Sequence, residues 1–404
     1  MNNAGNDNIA ILWIDDEHGG SSFKPSLAFM CSNDKPNDVS RVSLSSLDAG
    51  FTYITNVKPH LFKHMGLSKR HRLLNANFFG VTLSQIAIEL GLDDDLNIKL
   101  PVMLKVFSTM ENKLRQTYGL KIEECQYTIL EKLREIICPN HHRDLATIDG
   151  ANSLHLNNAI RESTQKLQAN NIDIDKKFST VVSGKFPKLP YFIHLMGQGY
   201  PVSHNYQVTT DFQDRTVGMN GSEDDSRLVV DFARKKAGFM EFQVEDMQKD
   251  HRRYIPVGME ITTTRSRRWA ALPEIVDMMN YATLRLGQCF YTDSEPLPFV
   301  PAEPPIETKF MNYTNGLINE AIWVAISYSN NSDASASPIA AYVRAYDRVM
   351  CRRAATELFT QGFRLVGFST GTVRFVVDSG NESQKEKLAQ ALLEQNLLPQ
   401  LGAL

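Results

Sequence analysis

The first strongly apolar stretch of the chain is IAILWI at residues 9–14, and it ends in Asp15, Asp16 and Glu17. A short run that is apolar at every position is typical of a strand buried on both faces of a parallel sheet. We therefore predict that such a strand opens an N-terminal α/β layer. Acids at the end of the strand lie at the carboxyl edge of the sheet, and their hard oxygen atoms suit Mg²⁺. Asp15 and Glu17 are the predicted ligands of a weak magnesium site.

Helical periodicity follows in the text TLSQIAIELGL at residues 82–92, where Leu83, Ile86 and Leu90 fall on one face. Thr82 is the predicted N-terminal cap, and Gly91 is the predicted stop. We interpret this segment as a packing helix. The same pattern predicts helices at 110–118, 123–137 and 154–169.

The C-terminal part has a longer helical pattern at residues 339–361, which ends at Gly362. Apolar residues then cluster at 363–368 and 372–377, on either side of the small-residue turn Ser369-Thr370-Gly371, which predicts a β-hairpin. A further helix is predicted at 384–395. The predicted fold class is α/β plus α+β, with a C-terminal region that ends in the order helix, hairpin, helix.

Segments rich in Gly, Pro, Ser or acids interrupt these patterns at residues 214–226, 291–305 and 327–338, and they predict surface loops. We predict three parts. Residues 1–145 form an α/β domain, residues 146–225 form a helical and loop connecting segment, and residues 226–404 form an α+β domain.

The composition excludes some classes of protein. The 404 residues include 43 Lys and Arg against 46 Asp and Glu, a net charge of −3, which excludes a basic histone-like tail protein and an acidic disordered one. No apolar run reaches the roughly 20 residues that a membrane span needs. We therefore expect no membrane partner and a cytoplasmic location, or the host cytoplasm or virion for a viral protein. The five cysteines form no C-x-x-C pair and are predicted to be buried free thiols.

Basic residues are concentrated in residues 252–269, which we call the arginine segment. Its eighteen residues contain five arginines and Trp269; the arginines are Arg252, Arg253, Arg265, Arg267 and Arg268. Guanidinium groups bind phosphates in a bidentate manner and stack on bases, so a local cluster can bind nucleic acid despite the negative net charge. We predict that these five arginines and Trp269 bind nucleic acid. A solvated face and a protein interface are the alternatives.

Two families begin as this chain does. The text ILWIDDE at 11–17 resembles the first strand of response-regulator receiver domains, whose paired acids bind magnesium beside a phosphorylated aspartate, and LPVMLKV at 100–106 is similar to a later strand and loop. Asn75 and Asn77 stand where the acceptor aspartate is expected, so this resemblance implies a degenerate receiver. The Asp15-x-Glu17 pair also resembles the metal-binding pair of proofreading exonucleases.

Residues 200–380 resemble the palm of B-family DNA polymerases. The text AYVR at 341–344 resembles the helix that precedes the catalytic hairpin, and KFMNYTNG at 309–316 is similar to the finger helix of these enzymes. The resemblance implies a palm-like region in which Lys309 faces nucleic acid and Asp211 stands for the first palm aspartate. Because Ser369-Thr370-Gly371 offers no carboxylate for two-metal chemistry, it also implies a non-catalytic core.

We therefore predict a nucleic-acid-binding protein of phage-type or plasmid-type replication or genome maintenance, with a palm-like and non-catalytic core. Two alternatives stay open. One is a viral structural protein, such as a capsid or nucleocapsid subunit, which would have a protein partner or form a homo-oligomer. The other is a degenerate receiver-type signalling protein.

Overall fold

The structure is a computed structural model that divides the chain into two compact units. Unit 1 comprises Met1–Ile136 and Val300–Ala325, and unit 2 comprises Ile137–Phe299 and Ile326–Leu404. The residues it describes are 8–15, 27–57, 72–75, 82–92, 94–120, 132, 153–164, 179–201, 205–250, 268–297, 313–319, 337–369 and 371–402.

Unit 1 contains a mixed five-stranded sheet in the order β3-β2-β1-β4-β5. Its strands are β1 (Asn8–Asp15), β2 (Leu27–Ser32), β3 (Lys35–Val42), β4 (Phe51–Thr55) and β5 (Arg72–Asn75). β1 runs antiparallel to β2 and parallel to β4, and β4 runs parallel to β5. Neighbouring side chains of β1 such as Ile11 and Leu12 are both buried, so the strand is covered on both faces. The predicted buried strand is confirmed, but the sheet is mixed, because β1 is parallel to β4 and antiparallel to β2.

The longer helices described in unit 1 are α1 (Leu83–Leu90) and α2 (Leu96–Tyr118), and a shorter helix lies at 313–319. The Oγ1 atom of Thr82 accepts a hydrogen bond from the amide of Gln85 at 3.1 Å, and Gly91 has φ +68°. Both predicted ends of α1 are therefore confirmed. Residues 100–106 lie within α2, so the strand that the receiver resemblance implied there is wrong. The reason is helical spacing: Leu100, Met103, Leu104 and Phe107 are all buried on one side.

The described residues of unit 2 form two sheets. The first has the order β11-β10-β12-β7, and β8 and β9 also pair with β12. Its strands are β7 (Gly199–Pro201), β8 (Gln207–Thr209), β9 (Thr216–Gly218), β10 (Lys236–Met247), β11 (Trp269–Ala271) and β12 (Ala282–Pro296). The second is antiparallel, with the order β13-β14-β6-β15, and consists of β6 (Ser179–Lys185), β13 (Arg364–Ser369), β14 (Thr372–Asp378) and β15 (Leu398–Gly402).

The helices described in unit 2 are α3 (Ser153–Thr164), α4 (Lys188–Met196), α5 (Glu223–Lys235), α6 (Leu272–Met278), α7 (Pro338–Thr360) and α8 (Glu382–Glu394). The order α7, β13, β14, α8 confirms the predicted helix–hairpin–helix end. The Tyr342 hydroxyl in the first half of α7 donates to the Gly238 carbonyl of the first sheet at 3.0 Å. In the second half, Cys351 and Leu358 join the core of the second sheet, so α7 connects both sheets.

The expectation of loops at 214–226 and 291–305 is confirmed at 214–215 and 219–222, which form turns, and is wrong at 216–218, 223–226 and 291–296. β9 and the start of α5 lie in the first segment, and β12 continues to Pro296 in the second. The acids Glu223, Asp224 and Asp225 occupy the first turn of α5, where the helix dipole favours negative charge. Ser222 caps this turn by accepting the amide of Asp225 at 3.2 Å. The polar run is therefore a helix start and not a loop.

Ion pairs are buried where α7 meets α6. The guanidinium of Arg348 donates to both carboxylate oxygens of Glu274, at 2.8 and 2.6 Å. One turn later Arg352 donates through Nε and Nη2 to Asp277 Oδ2, at 2.8 and 2.6 Å. All four side chains are at most 6% exposed. Since a buried charge without its partner is costly, each pair fixes the register of α7 on α6.

Three cysteines, Cys31, Cys289 and Cys351, are buried free thiols, as predicted, and the other two lie outside the described residues. Among the helices of the described residues, none has the length and apolar character required to cross a bilayer.

Candidate nucleic-acid interface

The structure describes the arginine segment only at its C-terminal end, at Arg268 and Trp269. The other predicted contacts, Arg252, Arg253, Arg265, Arg267 and Lys309, lie outside the described residues. Arg268 is exposed immediately before β11, whereas Trp269 is the first residue of that strand.

Hydrogen bonds on both sides hold the backbone of Arg268. Its carbonyl accepts the amide of Phe242 in β10 at 2.8 Å. Its own amide donates to Glu162 Oε2 at 2.8 Å, and the Trp269 amide donates to the same oxygen at 3.0 Å. Glu162 lies near the end of α3, so a carboxylate from a helix distant in sequence holds the backbone at the start of β11.

The indole of Trp269 is 5% exposed and belongs to the interior of unit 2. It stacks on the ring of Phe290, with centroids 5.1 Å apart and an interplanar angle of 22°. Because the two rings cover each other, Trp269 contributes to packing. Its neighbour in sequence, Arg268, faces solvent.

Arg268 lies at the edge of a cavity of about 610 Å³ on the first sheet of unit 2. Its lining comes from the turn before β9, the middle of β10, and the middle of β12; the residues are Gln213, Asp214, Glu241, Phe242, Gln243, Val244, Arg268, Arg285, Leu286 and Gly287. The polar members include two arginines, two carboxylates and two glutamines. Such a mixture supplies donors and acceptors in one depression that is large enough for a small ligand.

Asp214 is held in the left-handed region, with φ +62°, a conformation that non-glycine residues seldom adopt. Its amide donates to the Leu286 carbonyl at 2.9 Å. Its carboxylate accepts from the Nε and Nη2 atoms of Arg285, at 3.1 and 2.6 Å. The turn is therefore anchored to β12, and it holds the exposed guanidinium of Arg285 over the cavity.

The hairpin tip is a separate feature of unit 2, and Gly371 there has φ +66°. The Gly371 amide donates to Asp347 Oδ1 at 2.7 Å, and the hydroxyl of Tyr191 and the thiol of Cys351 donate to the same oxygen. Burial, reinforced by the nearby Asp347 charge, raises the pKa of Tyr191 and of Cys351 well above their ordinary values. Asp347 thus holds the hairpin turn on α7.

The predicted magnesium ligands are only partly described. Asp15 is the last residue of β1, at the end of the strand as predicted, and Glu17 lies outside the described residues. Within the described ranges, no group of three or more His, Cys, Asp or Glu side chains is arranged to hold a metal ion. The magnesium site stays a prediction.

Sequence reasoning missed Glu162, Glu241 and Arg285. A local signal existed for Arg285, which lies between Leu284 and Leu286. This alternation in a strand indicates that the two leucines point to the core and that Arg285 points to solvent. No local signal existed for Glu162, since its partner Arg268 is 106 residues away.

Comparison with solved structures finds similarity to DNA polymerases. Phi29 DNA polymerase complexed with primer-template DNA is 10% identical over 91% of this chain and 80% of that chain, with a TM-score of 0.49. The orthorhombic crystal form of Phi29 DNA polymerase is 9% identical over the same shares, with a TM-score of 0.48. The family B DNA polymerase of the archaeon Pyrobaculum calidifontis is 9% identical over 98% of this chain and 56% of that chain, with a TM-score of 0.33.

No protein-family model and no curated protein matches the sequence. At identities of 10% and TM-scores below 0.5, similarity to these polymerases assigns neither a family nor a function.

Proposed function

We propose that the protein binds nucleic acid through the arginine segment and the adjoining cavity, and that it serves replication or maintenance of a phage-type or plasmid-type genome without catalysing nucleotide transfer. The observation that carries the proposal is the position of Arg268. Glu162 and Phe242 hold its backbone at the end of a segment of five arginines, and its side chain lies at the edge of the cavity that Arg285 also lines.

The charges support binding to phosphate. An exposed guanidinium donates to phosphate oxygens from a fixed planar fork, and backbone anchoring reduces the entropy lost when the contact forms. The net charge of −3 would repel a polyanion at long range, so attraction has to come from a local concentration of arginines. Arg268 and Arg285 line the same cavity, and the sequence carries four further arginines at 252–267.

The hairpin supports the absence of nucleotide transfer. Two-metal transfer needs carboxylates that hold both ions. The tip offers Ser369, Thr370 and Gly371, and the carboxylate of Asp347 is engaged in hydrogen bonds that hold the turn. Asp378 lies at the far end of β14, away from the tip.

Binding is tested by fluorescence anisotropy with single-stranded and duplex DNA and RNA at several salt concentrations. Replacing Arg265, Arg267 and Arg268 with Ala removes up to three phosphate contacts, so affinity falls and the slope of log affinity against log salt decreases by about two to three. The matched control replaces the exposed arginines Arg227 and Arg234 of α5, and it leaves affinity unchanged. Equal affinity and slope in the triple variant and the wild type would refute the proposal.

Catalysis is tested by primer extension with Mg²⁺ or Mn²⁺, and we expect no templated incorporation. Extension that disappears in an Asp378→Ala variant would make the chain an active polymerase. Light scattering gives a further check, since assembly into large particles would favour the structural-protein alternative.

A further inference from the structure

The floor of the cavity is a small grid of side chains on β10 and β12. Gln243 is paired directly with Arg285 across the two strands, and the register then shifts between Met240 and Phe242. At this bulge Glu241 lies against Gly287. Because side chains alternate along a strand, these four residues share the face opposite the core residues Phe242, Leu284 and Leu286.

Gly287 makes room for the carboxylate of Glu241. A Cβ atom at position 287 would lie 2.6 Å from Glu241 Oε2, closer than real Cβ contacts allow, and 3.0 Å from Glu241 Cβ, which is tighter than most. β10 lies between β12 and β11, and in β11 the residue paired with Glu241 is Trp269. The indole of Trp269 stacks on Phe290. The carboxylate is thus bordered by an aromatic layer on one side and by a depression on the other.

Several polar groups of the cavity have no hydrogen-bond partner within the described part of the chain. They are the guanidinium of Arg268, the carboxylate of Glu241, and the side-chain amides of Gln213 and Gln243. Arg285 uses Nε and one hydrogen of Nη2 for Asp214, which leaves three of its five N–H groups for a ligand. The cavity therefore combines positive donors for an anion with a negative acceptor for neutral donors.

We propose that the cavity holds one unpaired nucleotide of a single strand, with its phosphate on Arg268 and Arg285 and its base directed to Glu241. This inference rests on the proposed function. A volume of about 610 Å³ falls within the range of small-ligand sites and accommodates a nucleotide, whereas a duplex is too wide to enter. The two glutamines offer further donors and acceptors to the edge of the base.

The acceptor selects the base. An ionised carboxylate accepts hydrogen bonds and cannot donate them. Cytosine, adenine and guanine carry an exocyclic amino group that donates to it, as in the pairing of Glu or Asp with cytosine N4. Thymine and uracil place carbonyl acceptors on both sides of their single N3–H, and these acceptors repel the carboxylate. The cavity therefore prefers a base that has an amino group.

The test compares oligo-dC with oligo-dT of equal length by fluorescence anisotropy, since both are pyrimidine strands with the same backbone charge. The wild type binds oligo-dC more tightly, by a factor on the order of ten, which is the usual value of one base contact. Glu241→Gln abolishes this preference, because an amide both donates and accepts and so suits either base. The ratio of the two affinities is the readout, so a general gain from the lost negative charge does not affect it.

Gly287→Ala is the second variant, and it keeps the charge while displacing the Glu241 carboxylate. We expect it to reduce the dC:dT ratio severalfold, whereas the control Gly380→Ala leaves the ratio unchanged because its Cβ meets nothing within 4 Å. Circular dichroism tests whether the Gly287→Ala variant is folded. If it is not, Glu241→Gln alone tests the role of the carboxylate in base selection.

The outcomes separate the two proposals. Failure of the wild type to bind any of the single-stranded and duplex DNA and RNA probes refutes the proposed function, whereas binding of duplex without either oligonucleotide overturns only the cavity assignment. Binding of both with a ratio of one, or with a ratio that Glu241→Gln leaves unchanged, overturns the cavity assignment while nucleic-acid binding stands.

Discussion

The carboxylate of Asp347 accepts the hydrogen bond of the Gly371 amide at 2.7 Å, so the turn of the hairpin is tied to the middle of α7. Gly371 is suited to this position in two respects. Its φ of +66° favours glycine, and a Cβ there would approach the ring of Tyr191 to 3.0 Å. The contact gives the turn of the hairpin a structural anchor on α7.

The first prediction concerns this anchor. Asp347→Ala leaves the Gly371 amide and the Tyr191 hydroxyl buried without their acceptor, and we expect the free energy of unfolding to fall by about 2–4 kcal/mol. Asp378→Ala, which removes an exposed carboxylate from the same hairpin, changes it by less than about 0.5 kcal/mol. Urea denaturation measures both, and similar values for the two variants would contradict the anchoring role.

The second prediction separates the positioning role of Glu162 from its charge. Removing an acid near a nucleic-acid site strengthens binding through charge alone. Glu162→Ala instead frees the amides of Arg268 and Trp269, so we expect affinity for single-stranded DNA to fall about threefold to tenfold, with Arg268 still present. Anisotropy titration measures the effect, and the exposed acid Glu223 serves as the control site. An affinity that rises in Glu162→Ala would refute the positioning role.

The third prediction compares a buried and an exposed ion pair. Asp277→Ala leaves the guanidinium of Arg352 buried without its carboxylate, which costs about 3–5 kcal/mol of unfolding free energy. Asp293→Ala breaks the partly exposed pair with Lys236 and costs less than about 1 kcal/mol. Thermal and urea unfolding measure both losses. Comparable losses would mean that the pair in the interior does not fix α7 on α6.

The fourth prediction concerns alkaline pH. Burial raises the pKa of the Tyr206 hydroxyl far above its ordinary value of about 10. The unfolded chain therefore loses this proton first. The contribution of Tyr206 to stability is complete below pH 10 and decreases as the pH rises through and above that value. The free energy of unfolding should therefore decrease less between pH 8 and pH 11 in Tyr206→Phe than in the wild type.

Tyr206→Phe also has a distinct effect at pH 8. In the described part of the chain the buried Tyr206 hydroxyl has no hydrogen-bond partner, so its removal is neutral or stabilising by about 1 kcal/mol. The control is Tyr200→Phe, which breaks a hydrogen bond to the Leu195 carbonyl of 2.7 Å and destabilises by about 1 kcal/mol. Equal effects of the two substitutions would be inconsistent with this difference.

The fifth prediction concerns the magnesium site. Asp15 ends a strand that is buried on both faces, and we expect calorimetric titration with Mg²⁺ or Mn²⁺ to give heat of binding that Asp15→Ala abolishes. Asp38→Ala, on the exposed edge strand β3, retains it. Identical traces for the wild type and Asp15→Ala would leave only an acidic turn at the strand end.

Local patterns were sufficient for several elements. The cap and stop of α1 at Thr82 and Gly91, the long helix α7 and the hairpin of β13 and β14 were all predicted from residues within a few positions of one another. The physical reason is that caps, turns and amphipathic faces depend on neighbours in sequence. Where the local pattern was ambiguous, as in the acidic run that forms the first turn of α5, the prediction of a loop was wrong.

The chain alone determined that a cluster of arginines ends at Trp269 and that the hairpin turn lacks an acid. Only the tertiary structure decided that Trp269 turns inward onto Phe290 while Arg268 faces the cavity, and that Glu162 holds the backbone of both. It also brought Asp214, Glu241 and Arg285 together. These contacts join residues from separate strands and helices, and their pairing depends on strand register and on burial of the whole unit, which no local stretch of sequence encodes.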